Sequence, residues 1–188
     1  MAGGIEDIRT VFEGWTRFLV ATIRGHDGSK LDRVILDHGM SACVLPYNAA
    51  TRRAMLVSQQ RVPVMYAGDE TEVLEVIAGR VEEEDSAETA RREAMEEAGL
   101  RLGTLEYVAT VWASPGISTE RIALYLSPYA DEDRIAAGGG AADEHESVTV
   151  RELPLNELLA LIANGQLTDM KTLVLVQALQ LRHPELFA

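Results

Sequence analysis

Ala78-Gly79-Arg80-Val81-Glu82-Glu83-Glu84-Asp85 leads into a second segment, Arg92-Glu93-Ala94-Met95-Glu96-Glu97-Ala98-Gly99-Leu100, and these two stretches decide how the chain is read. Asp85 is a suitable N-cap with Glu88 three residues on, and Gly99 stands where a helix commonly ends, so the spacing predicts a helix between them. Ala87, Ala90, Ala94 and Ala98 recur at helical spacing and give that helix a small-residue face for close packing. Glu93 and Glu97 are i,i+4, and Glu96 is i+3 from Glu93, so the three carboxylates can share a face. Like charges at this spacing cost about 0.2–0.5 kcal/mol per pair in an isolated helix. A hard divalent cation reverses the penalty, because Mg²⁺ combines one or two carboxylates with substrate phosphates. Gly79 lets the backbone turn tightly and leaves the Ala78 carbonyl able to face the same cation. Acidic helices are more commonly solvated faces. The ordered run of glycine loop, capped helix, Arg-Glu and Glu-Glu-x-Gly is far more specific than charge clustering.

Working outward, residues 1–14 are weakly amphipathic and show no clear period. Thr16–Arg24 and Leu31–Asp37 read as two strands around the turn Gly25-His26-Asp27-Gly28. Ala42–Pro46 and Ala54–Gln59 form a second pair, Arg61–Glu70 reads as a loop through Pro63 and Gly68, and Val73–Ile77 is a further short strand. Beyond the helix, Leu105–Trp112, Arg121–Ser127 and Val148–Val150 have strand character. Asn156–Ala163 and Met170–Leu181 read as two closing helices. Asp131–Glu146 is acidic and contains Gly138-Gly139-Gly140, which the residues suggest as a hinge in a mobile loop. Interleaved strands and helices without repeats predict an α/β fold with a mixed sheet sandwiched by helices.

The 188 residues suit one domain with a small appendage, and 47% hydrophobic with 25% charged residues is ordinary globular composition. No apolar run approaches a membrane span, Met1–Thr10 lacks an apolar signal core, and a lone Cys43 builds neither a disulfide framework nor a cysteine-rich zinc site. The expectation is a cytoplasmic protein without a membrane partner. Its net charge of −13 excludes bulk attraction to nucleic acid. Phosphates could be handled only where bound metal and a few arginines reverse the local field.

The glycine-to-glycine stretch resembles the Nudix box, whose pattern is Gly, five residues, Glu, seven residues, Arg-Glu, an apolar residue, any residue, Glu-Glu, any residue, Gly and an apolar residue. Gly79, Arg92, Glu93, Glu96, Glu97, Gly99 and Leu100 match it. Asp85 replaces the first Glu, and six residues rather than seven separate it from Arg92, a contraction shared by GDP-mannose pyrophosphatases of the nucleoside-diphosphate-sugar branch. Ser58-Gln59-Gln60-Arg61-Val62, Ala113–Glu120, Gly138–Val150 and Asp169-Met170-Lys171-Thr172 resemble further segments of that branch, in the same order.

The resemblance implies an α/β/α Nudix sandwich over 41–188, preceded by an N-terminal antiparallel β-element over 1–40 that serves dimerisation and the base pocket. It implies Mg²⁺, with Mn²⁺ as an alternative, held by Glu93, Glu97 and the Ala78 carbonyl, with Glu96 as a further ligand or water-bridged neighbour and Glu146 completing the set. Glu146 is aligned with the residue that activates water, and Glu144 is its rival. Arg61, Arg80, His145 and Lys171 are implied as substrate contacts, with Glu120 as a second carboxylate near the substrate, Trp15 against the base, and Arg33 the single basic residue of Leu31–Leu36 where relatives carry a basic cluster. Arg92 is implied as a structural partner of the box carboxylates, with a pair to Glu88 at i,i+4 as its local alternative. The implied reaction is hydrolysis of the diphosphate bond of a nucleoside diphosphate sugar by a homodimer. The alternatives are a Nudix hydrolase of another diphosphate, such as a dinucleotide or modified nucleoside triphosphate, and a non-catalytic ligand sensor on the same scaffold.

Overall fold

Apolar residues in β-rich runs set most of the architecture. The computed structural model describes residues 4–68, 72–140 and 148–188. The described chain forms two units, one comprising residues 4–40 and 110–122, the other residues 41–109 and 123–188.

The first unit is built on a three-stranded antiparallel sheet of β1 (Ile5–Glu13), β2 (Arg17–Arg24) and β3 (Lys30–Asp37), in the order β1-β2-β3. Gly28 takes the left-handed conformation in the β2–β3 turn (φ 83°), and the Gly25 N–H donates to the Ser29 carbonyl across it (2.7 Å). Leu19, Val20 and Ala21 of the central strand are buried, whereas every residue of β1 is exposed. That exposure explains why residues 1–14 resist typing from sequence: a strand with neither face buried carries no apolar period. Segment 113–120 joins this unit through the bridge between Leu36 and Ser118.

In the second unit, β4 (Met40–Asn48) and β5 (Arg53–Gln60) pair at Tyr47↔Ala54 and Asn48↔Arg53, then diverge. Two short strands take up the freed edges: β6 (Glu72–Glu75) pairs with β5 through Val57↔Glu75, and β7 (Ile77–Arg80) pairs with β4 through Cys43↔Ala78. The single strand expected over Val73–Ile77 is thus two strands that change partner at Val76. β10 (Val148–Pro154) lies antiparallel on β5, and β9 (Arg121–Pro128) and β8 (Glu106–Trp112) extend the sheet in the order β10-β5-β4-β9-β8. The ends of β8 and β9 at 110–112 and 121–122 count with the first unit. The expected mixed α/β architecture, with a separate antiparallel sheet, is present.

The loop expected over Arg61–Glu70 contains a short helix, α1 (Val62–Ala67). Pro63 occupies its first turn, where a missing N–H costs nothing, and Gly68 (φ 83°) caps its end, so both punctuating residues bound a helix rather than a loop. α2 (Ser86–Ala98) packs along β7 with Ala90, Ala94 and Ala98 fully buried, and α3 (Leu155–Ala163) packs on β10 and on α4 (Met170–Arg182). Val44, Leu45, Met55, Leu56, Leu124, Leu126, Leu158, Leu175 and Leu179 form the core, each such side chain contributing about 1.5–3 kcal/mol by leaving water. Among the described residues no helix is long and apolar enough to cross a membrane.

Candidate active site

The capped helix places the acidic residues. The Asp85 carboxylate accepts hydrogen bonds from the Ala87 and Glu88 N–H groups (both 2.9 Å), which fixes where α2 begins. Glu88 is ion-paired to Arg91 (2.7 Å), one position before Arg92, whose pairing with Glu88 was the local alternative. Gly99 adopts the left-handed conformation (φ 67°), and its N–H and that of Leu100 close the helix on Met95 and Ala94.

Between these ends, Glu93 and Glu97 are 8% and 1% exposed, and the Glu93 side chain lies against Gly79 of β7. Two buried carboxylates one turn apart need positive charge or hydrogen bonds to be tolerated. Arg92 supplies part of it: its guanidinium reaches Glu84 (2.9 Å), Glu93 (2.8 Å) and Glu96 (2.7 Å). Arg92 is thus a hub for the acidic segment, and the alternative pair with Glu88 is not formed. Burial works against the Arg92 charge, but Glu84, Glu93 and Glu96 outweigh it and hold its pKa above the ordinary arginine value. The Nε hydrogen bond from Arg92 in turn holds the Glu84 carboxyl below the usual glutamate range.

Gly79 lies in β7 with no positive φ, so a tight turn is not what demands glycine there. A Cβ at this position would overlap the Glu93 carboxylate. What the glycine accommodates is the close approach of the Glu93 side chain, a correction to the turn expected from sequence. Ala78 precedes it opposite Cys43 in the ladder, and Arg80 follows opposite Ser41. The oxygen-only donors of this corner suit a hard divalent cation rather than a soft one. Among the described residues no three His, Cys, Asp or Glu side chains already converge on one point. A cation held by Glu93 would share that carboxylate with Arg92.

Arg61 and Lys171, far apart in sequence, meet on one carboxylate that the sequence reading passed over. Glu75 accepts Nε and Nη2 of Arg61 (2.7 and 2.9 Å) and Nζ of Lys171 (3.2 Å). Lys171 also donates to Asp169 (2.6 Å), the N-cap of α4, whose other oxygen accepts from the Thr172 N–H and hydroxyl. Burial opposes the Lys171 charge, yet Asp169 and Glu75 hold its pKa above the ordinary lysine value. A lone acid in the apolar run Val73-Leu74-Glu75-Val76-Ile77 was the available signal for Glu75.

In the first unit, Trp15 is 73% exposed and stands edge-on to His38, ring centroids 4.6 Å apart. His38 lies within 3.8 Å of Glu120, and its Nδ1 is 2.9 Å from the Thr16 hydroxyl. His38 was not anticipated, although it links two residues that were. Arg33 is exposed, with Nη1 donating to the Asp32 carbonyl (3.0 Å). Glu144, His145 and Glu146 lie outside the described residues.

The stretch before them departs from expectation. Asp131–Asp133 forms a 3₁₀ turn, and the Ile135 and Ala136 N–H groups donate to the Gly99 carbonyl. The Gly139 and Gly140 N–H groups donate to the Glu97 (2.9 Å) and Glu96 (3.1 Å) carbonyls. Residues 131–140 therefore satisfy the orphan carbonyls at the end of α2, which is why they carry order of their own.

Comparison with known proteins agrees with this geometry. The NUDIX domain family model matches residues 37–173. GDP-mannose pyrophosphatase of Escherichia coli O1:K1 / APEC is 35% identical over 152 residues, covering 80% of this chain and 78% of that protein, and the enzyme of the same name from Shigella flexneri serotype 5b (strain 8401) matches to the same extent. A crystal structure of an ADP compounds hydrolase superposes with a TM-score of 0.76 at 15% identity, covering 97% of each chain, which shows a common fold. With a family match over most of its length and the box carboxylate Glu93 set against Gly79 of β7, the chain belongs to the Nudix hydrolase family.

Proposed function

We propose that this Nudix hydrolase cleaves the diphosphate bond of a nucleoside diphosphate sugar, of GDP-mannose or ADP-ribose type, to a nucleoside monophosphate and a sugar phosphate. The observation that carries the reading is the pair of buried carboxylates, Glu93 and Glu97, one turn apart, with Glu93 filling the space left by the missing Cβ of Gly79. The 35% identity to GDP-mannose pyrophosphatase favours a sugar nucleotide over other diphosphates. Glu93, Glu97 and the Ala78 carbonyl would hold Mg²⁺ or Mn²⁺, with Glu96 beside them. That cation, when bound, neutralises the diphosphate and acidifies the attacking water.

The chain's own groups do the rest. Arg61, Arg80 and Lys171 bind diphosphate oxygens, with His145 as a further contact. Arginine and lysine are needed here because a protein of net charge −13 otherwise repels the substrate. Trp15 offers an exposed indole face to the base, and Arg33 and Glu120 contact the sugar nucleotide. Glu146 takes the proton of the attacking water, with Glu144 as its rival. The first unit, with its exposed edge strand β1 carrying Ile5, Ile8, Val11 and Phe12, mediates a homodimer.

A panel of sugar nucleotides, dinucleotides and modified nucleoside triphosphates assayed with Mg²⁺ tests the reading. Release of phosphatase-sensitive products from a sugar nucleotide is expected, and turnover confined to the other classes sinks it. Glu93→Gln and Glu97→Gln should abolish turnover while the protein stays folded: Glu97→Gln relieves like-charge repulsion in α2 without lowering the melting temperature, whereas Glu93→Gln also gives up the Arg92 ion pair and melts slightly lower. Glu146→Gln should lower kcat far more than Glu144→Gln; a loss confined to Glu144→Gln moves the base by two residues.

A further inference from the structure

We infer that Glu75 is a positioning residue that sets the spacing and aim of Arg61 and Lys171 for the substrate's diphosphate. The inference rests on the diphosphate role proposed above for those two cations.

Three features carry it. Glu75 is 3% exposed, so its carboxylate cannot be a solvating surface charge. It grips Arg61 side-on through Nε and Nη2, a two-point contact that fixes the plane of the guanidinium and directs Nη1 away from the carboxylate. One oxygen, Oε2, accepts from both Arg61 Nη2 (2.9 Å) and Lys171 Nζ (3.2 Å), which holds two positive groups close together that would otherwise repel.

The surroundings fix Glu75 itself. It ends β6 in register with Val57 of β5, and the next residue, Val76, donates its N–H to the Thr172 hydroxyl (2.7 Å) at the first turn of α4. Asp169 caps that turn and takes a second Lys171 donor. The four charged groups, Arg61, Lys171, Glu75 and Asp169, sum to zero. The cluster is therefore tolerated around the buried Glu75 carboxylate before any substrate arrives, while the two cations stay adjacent. A diphosphate spreads its charge over two neighbouring phosphoryl groups, and a pair of cations bridged by one oxygen is matched to such an anion rather than to a single carboxylate. Holding the pair in place beforehand removes ordering cost from the binding step.

The test measures steady-state kinetics on GDP-mannose with saturating Mg²⁺, together with thermal melting. Glu75→Gln keeps the shape and one acceptor but removes the charge. It should raise KM about tenfold, the equivalent of one charge-assisted contact, and change kcat less. The rise should disappear when Glu75→Gln is added to an Arg61→Ala, Lys171→Ala background, because a residue that acts through two others has nothing left to act on. Leu179→Ala, which opens a cavity in the core side of α4 and removes no polar or charged group, should lower the melting temperature and leave KM near wild type. Should Glu75→Gln not fold, Glu75→Asp, which draws the carboxylate back by one methylene, takes its place with the same expected direction.

An unchanged KM in the folded Glu75 variant, a KM rise that persists in the double background, or an equal rise in Leu179→Ala overturns the inference. Failure of the underlying reading looks different: Arg61→Ala and Lys171→Ala would themselves leave KM unchanged.

Discussion

The Glu93 carboxylate fills the space that a Cβ at position 79 would need. Glycine at this point of β7 is a condition for the helix carboxylate to reach the strand, and the backbone there needs no unusual torsion. Gly79→Ala should displace Glu93 while leaving the core of β4 and β5 intact. Because misplacement by about 1 Å can cost roughly 10²-fold in rate, kcat/KM should fall by about that factor. Half-saturation by Mg²⁺ should also move to higher concentration. Wild-type turnover with a wild-type Mg²⁺ requirement would show that the contact has no bearing on Glu93 as the proposed ligand.

Arg92 joins Glu84, Glu93 and Glu96, so Arg92→Ala leaves three carboxylates without their shared cation. The variant should melt lower than wild type at neutral pH, and Mg²⁺ should raise its melting temperature more than it raises that of wild type. The Glu84 part of this effect has a defined pH sign. Its carboxyl is held below the usual value of 4.5 by the Arg92 hydrogen bond, so the stabilisation is complete above that value and is lost as pH falls through the lower, folded-state one. The gap between variant and wild type should therefore narrow on the acid side, below 4.5. Melting curves across that range check it; a gap that widens in acid would contradict the assignment.

Legibility in the sequence followed the range of the interactions. α2 could be read because its cap, its alanine face and its stop lie within fifteen residues, and β4 and β5 because buried strands are continuous apolar runs. The carboxylates of α2 were readable for the same reason. α1 was missed since Pro63 and Gly68 punctuate loops and short helices alike. Glu75 was missed because what makes it unusual is Lys171, 96 residues away, and a strand sequence does not record its distant partner. The Arg92–Glu84 pair was missed for a related reason: it needs the path of the loop before α2, and helical spacing alone offered Glu88.

The three-stranded sheet carries the prediction about assembly. β1 is an edge strand, exposed along its whole length, with Ile8 52% and Phe12 62% accessible. Edges of this kind invite pairing or are covered by a partner. Light scattering at micromolar concentration should return a dimer mass. Ile8→Glu with Phe12→Glu should give a monomer of lower activity, because the proposed function has the first unit complete the base pocket across a homodimer. A monomer mass for the unmodified protein, with full activity, defeats the proposal.

Gly138 carries the last prediction. Its φ is +74°, and a Cβ there would press on the Glu97 carbonyl and on Ala98 at the end of α2. The adjoining Gly139 and Gly140 N–H groups bond the carbonyls of Glu97 and Glu96, and the Val148 N–H returns to the Gly139 carbonyl (3.3 Å). The backbone of two acidic residues in the box is thus tied to the chain on both sides of residues 141–147. Gly138→Ala combines a left-handed strain with a backbone clash, whereas Gly165→Ala, at φ +69° with open space around it, carries the strain alone. The strain costs about 1–2 kcal/mol, so both variants should melt lower, Gly138→Ala by the greater margin. Only Gly138→Ala should also lose turnover, because only its clash pushes on the helix end that holds Glu96 and Glu97. Equal melting losses with turnover retained in both would mean that the glycines act as a free hinge and that their bonds to α2 do not govern the acidic site.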